Sequence, residues 1–225
     1  GDCDVGSSGL DVVALAPDST YTLATALQRL RTSVRIEGNG STIERDSSAA
    51  AFRLFLVVTE GELEIEDVTL RNGRVSGTTA AGGSIFNHGT LTLRDVVIED
   101  SEGASGGALH NNGTATLERV VIDNSEATRS GGGIHNNGTL TLRESTIRNT
   151  RSDAAGGVLV NRGALTLEQS LIESSTSVGA GGGLDNGRFK TTTLLNSTFS
   201  GNTAGGLGGG VFLTGGTLNA TNVTV

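Results

Sequence analysis

Short stretches along the chain alternate apolar and polar residues, and the alternation returns at regular intervals. The clearest stretch reads Gly-Thr-Leu-Thr-Leu and occurs at Gly89–Leu93 and again at Gly138–Leu142. A second stretch follows each one, as in Asp95–Asp100 and Glu144–Asn149, and Gly, Asn and Ser lie between the stretches. Period-two alternation bounded by turn residues predicts short strands with one buried face. No helical pattern separates the stretches, so the order is not that of βαβ units.

A Gly-Gly-x-aliphatic block marks the repeat. The block begins at Gly82, Gly106, Gly131, Gly156, Gly181 and Gly208, so successive units are 24, 25, 25, 25 and 27 residues long. Strands that recur in the same direction without crossover helices must come from a coil, in which each turn stacks in parallel about 4.8 Å from the previous one. We therefore predict an all-β fold, a single right-handed parallel β-helix (β-solenoid) with 24–27 residues and about three short strands per coil.

The regularity of the repeat divides the chain into three parts. We predict an N-terminal tail at 1–10, irregular N-terminal coils at 11–60 and regular β-helix repeats at 61–225. Asp11–Leu15 is predicted to be a strand, whereas Tyr21–Arg31 is ambiguous. Its leucines have helical spacing, which would suit a short helix over the end of the core, but a strand at Thr20–Leu23 fits as well and is preferred. Three residues echo Leu63, Ile65 and Leu70 with a longer second gap: Val34, Ile36 and Ile43.

Aligning the units on the Gly-Gly pair produces four aliphatic columns, which we interpret as ladders inside the coil. The columns are Ile85, Leu109, Ile134, Leu159, Leu184 and Val211; Leu63, Leu91, Ala115, Leu140 and Leu165, which Thr192 interrupts; Ile65, Leu93, Leu117, Leu142, Leu167 and Leu194; and Leu70, Ile98, Ile122, Ile147, Ile172 and Phe199. Close packing requires similar residues at one position of successive coils, so these side chains are the predicted core.

Three polar columns accompany the aliphatic ones. Two are rich in Asn, which tolerates the left-handed backbone of turns and is able to bond to a stacked copy of itself; they are Asn87, Asn111, Asn136, Asn161 and Asn186, and Asn72, Asp100, Asn124, Asn149, Ser174 and Asn202. The third alternates in charge along Glu66, Arg94, Glu118, Arg143 and Glu168. We expect its neighbours to attract at every step and to oppose register slips, with roughly 0.2–1 kcal/mol for each exposed pair.

Composition supports a tightly turning chain and excludes several classes of protein. The 225 residues include 35 Gly and 1 Pro with 3% aromatics, and the regularly placed aliphatic residues argue against disorder. A net charge of −8 with a single lysine makes nucleic acid an unsuitable partner. The sequence contains no run of 18 apolar residues, so no membrane-spanning helix is predicted. The chain contains 0 Met, so we expect Gly1 to follow a processing or fragment boundary, and the lone Cys3 is either a free thiol or a link to another chain.

The whole pattern resembles a known group of proteins. The segments Asp11–Leu23, Val34–Arg45, Phe52–Val57 and Leu63–Gly73, followed by the GGxI…GTLTL repeats, look like bacterial secreted right-handed β-helix proteins. Their repeats are similar to those of the chlamydial polymorphic outer membrane proteins, whose Phe-x-x-Asn half is matched fully at Phe199–Asn202. The resemblance implies a secreted or surface-exposed protein with an adhesive or structural role, and a longer chain with further terminal parts.

Two classes of function follow. The first is a non-catalytic extracellular structural or adhesive module, because the repeat accounts for nearly every distinctive residue. The second is a polysaccharide-binding or pectate-lyase-like protein, since this fold also carries such enzymes. Sugar hydrolysis needs two carboxylates across a groove, but the outward column of the Gly-Thr-Leu-Thr-Leu strands is mostly threonine: Glu64, Thr92, Thr116, Thr141, Thr166 and Thr193. We therefore predict no catalytic, cofactor-binding or metal-binding residues. A cleft in which carboxylates and an arginine converge, or activity on uronic-acid polymers, would rule out the first class.

The remaining candidate features receive plain interpretations. His110 and His135 occupy equivalent positions in adjacent coils and are interpreted as a partly exposed pair without metal. The recurring Thr-x-Thr suits an exposed strand, although flat threonine arrays also occur on ice-binding faces. The Gly-rich blocks precede neither a helix nor a Gly-Lys-Ser/Thr motif, so they are not phosphate loops. Six sequons arise largely from the repeat's own turns: Asn39, Asn112, Asn137, Asn196, Asn219 and Asn222.

The sequence also raises a prediction about assembly. The repeat continues in register to Val225 without a recognisable cap, and an uncovered coil is a template for another chain. We expect either a longer parent protein or a head-to-tail contact between copies, which builds a filament when the rotation does not close a ring. In the second case Leu218 and Val223 pack on the N-terminal coil of a neighbouring copy, and Cys3 helps to join them.

Overall fold

The computed structural model describes residues 9–78, 80–154, 156–188 and 190–225, and its regular elements are all strands. The strands are β1 (Asp11–Ala14), β2 (Thr20–Leu23), β3 (Ser33–Arg45), β4 (Phe55–Val57), β5 (Glu62–Arg71), β6 (Ile85–Asn87), β7 (Thr90–Glu99), β8 (Glu102–Ser105), β9 (Leu109–Asn111), β10 (Thr114–Glu118), β11 (Val121–Asp123), β12 (Glu126–Ser130), β13 (Ile134–Asn136), β14 (Thr139–Arg143), β15 (Thr146–Arg148), β16 (Arg151–Ser152), β17 (Leu159–Asn161), β18 (Ala164–Glu168), β19 (Leu171–Glu173), β20 (Thr176–Ser177), β21 (Leu184–Asn186), β22 (Thr191–Leu195), β23 (Thr198–Ser200), β24 (Thr203–Ala204), β25 (Val211–Leu213) and β26 (Thr217–Thr221).

These strands form a parallel β-helix of about eight turns, as predicted. Four faces run along it. The first face contains β10, β14, β18, β22 and β26 in its later coils, and the second face contains β11, β15, β19 and β23. The long strands β3, β5 and β7 pass through both faces and join them into a 14-stranded sheet. The third face is the 5-stranded sheet of β8, β12, β16, β20 and β24, and the fourth is the 7-stranded sheet from β4 to β25. Among the described residues, no helix is long and apolar enough to cross a membrane.

A regular coil therefore contains four strands instead of the predicted three. The coil that begins at Thr114, for example, holds β10 to β13. The additional strand is β12, on the third face. Its inward position is Ala127, and the segment Glu126–Ser130 shows no aliphatic alternation that would have predicted a strand. Its neighbours in the sheet support it by backbone pairing.

The four aliphatic columns form the core. Strand registers align their members coil by coil, as in Leu117↔Leu142 and Ile122↔Ile147, and every member except Val211 is buried. Thr192 interrupts its column without leaving a buried hydroxyl unpaired, because its Oγ1 donates to Asn186 Oδ1 at 2.8 Å. The predicted interior ladders are confirmed.

The N-terminal coils follow the same register. β3 pairs with β5 so that Val34, Ile36 and Ile43 oppose Leu63, Ile65 and Leu70, with a register shift between Glu37 and Ser41 that absorbs the longer gap. Thr20–Leu23 is strand β2, so the strand interpretation is confirmed and the helix is not formed. The division at residue 60 stays a prediction, since pairing continues across it. The predictions for Cys3 and most of the tail at 1–10 lie outside the described residues.

The first glycine of each Gly-Gly block adopts left-handed backbone, and so do five of the six members of the second Asn-rich column, whereas the first Asn column does not. Gly131 has φ 66°, and a Cβ there would lie 2.3 Å from Ile134 O, so only glycine fits. The first Asn column forms a buried amide ladder, in which each Nδ2 donates to the next Oδ1, as Asn111 does to Asn136 at 2.8 Å. In the second column the assignment of Asn202 was wrong. Gly201 takes the positive φ of 62°, and Asn202 follows it and accepts from Ser175 N at 3.2 Å.

Candidate functional site

The outer surface of the first face changes character along the helix axis. In the later coils its central column is a row of half-buried threonines, Thr92, Thr116, Thr141, Thr166 and Thr193, aligned strand by strand. Towards the N-terminus the same column continues as Glu64 and Arg35. The regular threonine surface thus ends at a charged patch formed by the irregular coils.

A cleft lies at this charged patch, and it is the leading candidate site. Its volume is about 440 Å³, and its lining is Gly9, Leu10, Thr32, Ser33, Val34, Arg35, Glu60, Glu62 and Glu64. Three carboxylates and an arginine therefore do converge in one place. A cleft of this kind was expected to rule out the structural class, and it was not anticipated at this place, because neither Glu60 nor Arg35 belongs to the regular repeat. Within it, however, Arg35 and Glu64 bind each other at 2.8 Å.

The carboxylate of Glu64 is held between two guanidinium groups. Arg35 approaches it at 2.8 Å from the preceding coil, and Arg94 binds its other oxygen from the following coil. Burial raises the pKa of Glu64, but the hydrogen bonds and charges of Arg35 and Arg94 outweigh burial and lower the pKa below its ordinary value. Glu64 is therefore an anion at neutral pH that joins three successive coils.

The electrostatics of the cleft limit the chemistry it supports. A glycosidase acid needs a carboxyl with a raised pKa, whereas that of Glu64 is lowered. The neighbouring Glu62 accepts a hydrogen bond from Ser33 Oγ at 2.9 Å. No group of three or more His, Cys, Asp or Glu within the described ranges is arranged to hold a metal ion. The cleft offers charged hydrogen-bonding groups to a ligand, and the lowered pKa of Glu64 does not suit this residue to the role of a general acid.

A second cluster lies on the outer side of the fourth face, where all three histidines of the chain meet. His110 and His135 are neighbours in register, with parallel rings whose centroids are 4.8 Å apart at an angle of 2°. Phe86 precedes them in the column and contacts His88 and His110 at centroid distances of 4.2 and 5.0 Å. His110 is only 8% exposed, so the prediction of a partly exposed pair is wrong for this residue.

The stacked geometry argues against a metal at this pair. A metal ion needs ring nitrogens whose lone pairs converge at about 2.0–2.1 Å, whereas parallel stacked rings direct their nitrogens side by side. The nitrogens bind protein groups instead. His135 Nδ1 contacts Ser130 Oγ at 2.9 Å, and Asn137 lies near Nε2 of both His135 and His110 at 3.2 Å. Burial first, and then the positive neighbour His110, lower the pKa of His135 to about 4.

The histidine column continues into an ion pair with a buried carboxylate. Val160 separates His135 from Asp185, which is 4% exposed and accepts from Arg162 Nη2 at 2.7 Å. Asp185 Oδ1 is buried without a partner among the described atoms. This carboxylate is committed to Arg162, so it does not supplement the histidines as a ligand set.

The predicted charge column forms only in part. Arg94 contacts Glu118 at 3.6 Å and Arg143 contacts Glu168 at 3.2 Å, but Arg94 also binds Glu64, and Glu118 binds the adjacent Arg119. The expectation of attraction at every step is therefore too simple.

A second charged column, which was not predicted, lies on the second face; it does not alternate throughout, because Glu99 and Asp123 are neighbours in register. It pairs Arg71 with Glu44 at 3.9 Å and with Glu99 at 2.6 Å, and Arg148 with Asp123 at 2.8 Å. The strand register would have revealed it, had this column been aligned as the first one was. Both columns use charge to hold neighbouring coils together.

His88 was also missed, although its column contained a signal. The turn position two residues after each member of the histidine column is not occupied by one residue type. It holds His88, Asn112, Asn137 and Arg162 in successive coils. Asn112 Nδ2 lies 3.4 Å from His88 Nδ1, so these turn residues connect the three histidines. All six sequon asparagines are exposed, and their glycosylation stays a prediction.

Comparison with known proteins agrees with this architecture. A family model described as "Right handed beta helix region" matches residues 55–225. A search of curated proteins finds no match to the chain.

Proposed function

Since the chain belongs to the right-handed β-helix family, we propose that it is a non-catalytic structural or adhesive module that acts outside the cell or at its surface. The observation that carries the proposal is the use made of its reactive side chains. Glu64 is bound by two arginines, His110 and His135 stack on each other, and Asp185 is bound by Arg162. In each case the contact joins neighbouring coils.

The extracellular location and the adhesive role extend the resemblance of the repeats to secreted bacterial β-helix proteins and to chlamydial surface proteins. An acidic surface with a net charge of −8 suits a protein that stays soluble while it displays a long regular face. Antibody labelling of intact cells of the source organism, with and without external protease, tests the location. Protease-sensitive labelling supports it, and labelling that requires permeabilised cells contradicts it.

Head-to-tail assembly is part of the same proposal. Leu218 and Val223 pack against the core as partly buried residues, and the proposed contact places them against the N-terminal coil of another copy. Sedimentation velocity over a wide concentration range tests it, with Leu218→Asp as the disrupting variant. Mass that grows with concentration in the wild type alone is expected, and a concentration-independent monomer rules the contact out.

Polysaccharide binding or cleavage is the second candidate, and the cleft favours it. Arg35, Glu60, Glu62 and Glu64 offer the hydrogen-bonding groups that a sugar needs. The test is incubation with uronic-acid polymers and Ca²⁺, followed by assay of new chain ends, for the wild type and Glu64→Gln. We expect no product from either protein. Turnover by the wild type that Glu64→Gln abolishes would replace the non-catalytic proposal with an enzyme.

A further inference from the structure

Arg53, which lies just before β4, is half-buried, and its guanidinium forms no salt bridge with any residue of the described ranges. Its Cζ atom lies 5.0 Å from the centroid of the Phe86 ring. Its Nη1 atom is buried and has no hydrogen-bond partner in the described part of the chain. Burial lowers the pKa of Arg53, with no opposing contribution from a nearby carboxylate. An unpaired buried charge of this kind is unfavourable for folding.

The buried Arg45, by contrast, is provided with acceptors, and the more exposed Arg162 has a carboxylate partner. Arg45 donates to three backbone carbonyl oxygens, at 2.7, 2.9 and 2.9 Å. Arg162 binds the carboxylate of Asp185 at 2.7 Å. The fold is thus able to pair arginines when it buries them, and Arg53 departs from that rule.

The aromatic ring that Arg53 covers belongs to the histidine cluster. Phe86 lies beside His88 and His110, and His88 contacts the exposed Asn112 at 3.4 Å. The charges that act on His110 come from His88 and Arg53, and both disfavour its protonation. Phe86 thus links the guanidinium of Arg53 to the histidine cluster.

We propose that Arg53, held on the ring of Phe86, binds an oxyanion: a carboxylate, sulfate or phosphate group, either free or carried by a larger partner. The guanidinium supplies charge-assisted hydrogen bonds, which are the strong ones. Phe86 holds the guanidinium plane from one side through the cation–π contact and shields it from water. The site goes beyond the proposed structural role and does not depend on it.

The experiment measures thermal unfolding of the purified chain in acetate, sulfate and phosphate, with sodium chloride used to keep the ionic strength constant. The variants are Arg53→Leu, which keeps an apolar cover on Phe86, and Arg31→Leu, which removes one charge at an exposed position. We expect a saturable stabilisation of the wild type and of Arg31→Leu by at least one oxyanion, and the anion that acts identifies the preferred group. In Arg53→Leu we expect apparent affinity to fall by roughly tenfold or more.

The melting temperature without oxyanion separates this site from a purely structural contact. Arg53→Leu should melt at or above the wild-type temperature, because it removes an unpaired buried charge. Arg53→Lys keeps the charge without the planar fork and should bind more weakly than the wild type. The proposal is overturned if no oxyanion gives a saturable effect, or if Arg53→Leu and Arg53→Lys both respond as the wild type does. A lower melting temperature in Arg53→Leu with an unchanged anion response would assign Arg53 to packing alone.

Discussion

At the scale of single residues, the stacked imidazoles of His110 and His135 contribute to how the protein responds to acid. The pKa of His135 is about 4 in the fold because burial, and then its neighbour His110, disfavour the charged ring, whereas its ordinary value is 6.5. The unfolded chain therefore takes up this proton first as the pH falls. The stabilising effect of a neutral His135 is complete above about pH 6.5 and is lost as the pH approaches 4.

We predict that His135→Gln makes unfolding less dependent on pH. The glutamine amide is able to contact Ser130 and Asn137 but does not titrate. Between pH 7 and pH 4 the wild type should lose on the order of 3 kcal/mol more unfolding free energy than the variant, at about 1.4 kcal/mol for each unit of pKa shift. Urea unfolding at several pH values measures this difference. Equal acid-side slopes for the two proteins would show that His135 is not the responsible group.

Single residues are also where the sequence predicted least. His110 and His135 were identified because they occupy one column, but Arg53 lies in an irregular coil and no repeat partner points to it. Its contact with Phe86 depends on the path of the backbone just before β4, which the repeat does not specify. Asn202 was wrongly assigned to the second Asn column because it follows the core residue Phe199 by three positions, whereas the other members follow their core residue by two. The register of β23 with β19 resolves this.

At the scale of elements, alternation decides which strands the sequence reveals. The first and second faces bury aliphatic residues at every second position, so β14 and β15 are predictable from Leu140, Leu142 and Ile147. The third face buries small or polar residues such as Ala127 and Ser152, which carry no such signal. Backbone pairing with the coils above and below forms these strands, and that information is absent from any one segment.

We predict that adjacent positions of β14 respond in opposite ways to a charge. Leu142 is 1% exposed between Leu117 and Leu167, so Leu142→Asp should lower the unfolding free energy by roughly 3–5 kcal/mol. Thr141 points outward from the same strand, and Thr141→Asp should cost about 1 kcal/mol or less. Thermal or urea denaturation distinguishes them. A Leu142→Asp protein with wild-type stability would refute the inward assignment of this column.

At the scale of the whole molecule, the repeat made the fold predictable and the function difficult to predict. A coil of 24–27 residues follows from the Gly-Gly spacing, and the columns then place the core. The candidate cleft could not be derived in this way, because it combines Glu60, Glu62 and Glu64 with Arg35 from a coil of different length. Repetition specifies what neighbouring coils share, whereas a site depends on where they differ.

The central claim is that the reactive side chains of this surface hold coils together, and Glu64 tests it most directly. A structural carboxylate stabilises the fold, whereas a carboxylate kept for a ligand commonly does so at the expense of stability. Glu64→Gln leaves Arg35 and Arg94 without their shared anion, and Glu60→Gln removes an exposed carboxylate from the same cleft as the control.

The decisive measurement is the unfolding free energy of these two variants at pH 7. We predict a decrease of about 1–3 kcal/mol for Glu64→Gln and a change within about 0.5 kcal/mol for Glu60→Gln. An unchanged or increased unfolding free energy in Glu64→Gln would contradict the account, because it would mean that the cleft holds Glu64 for a ligand and not for the fold.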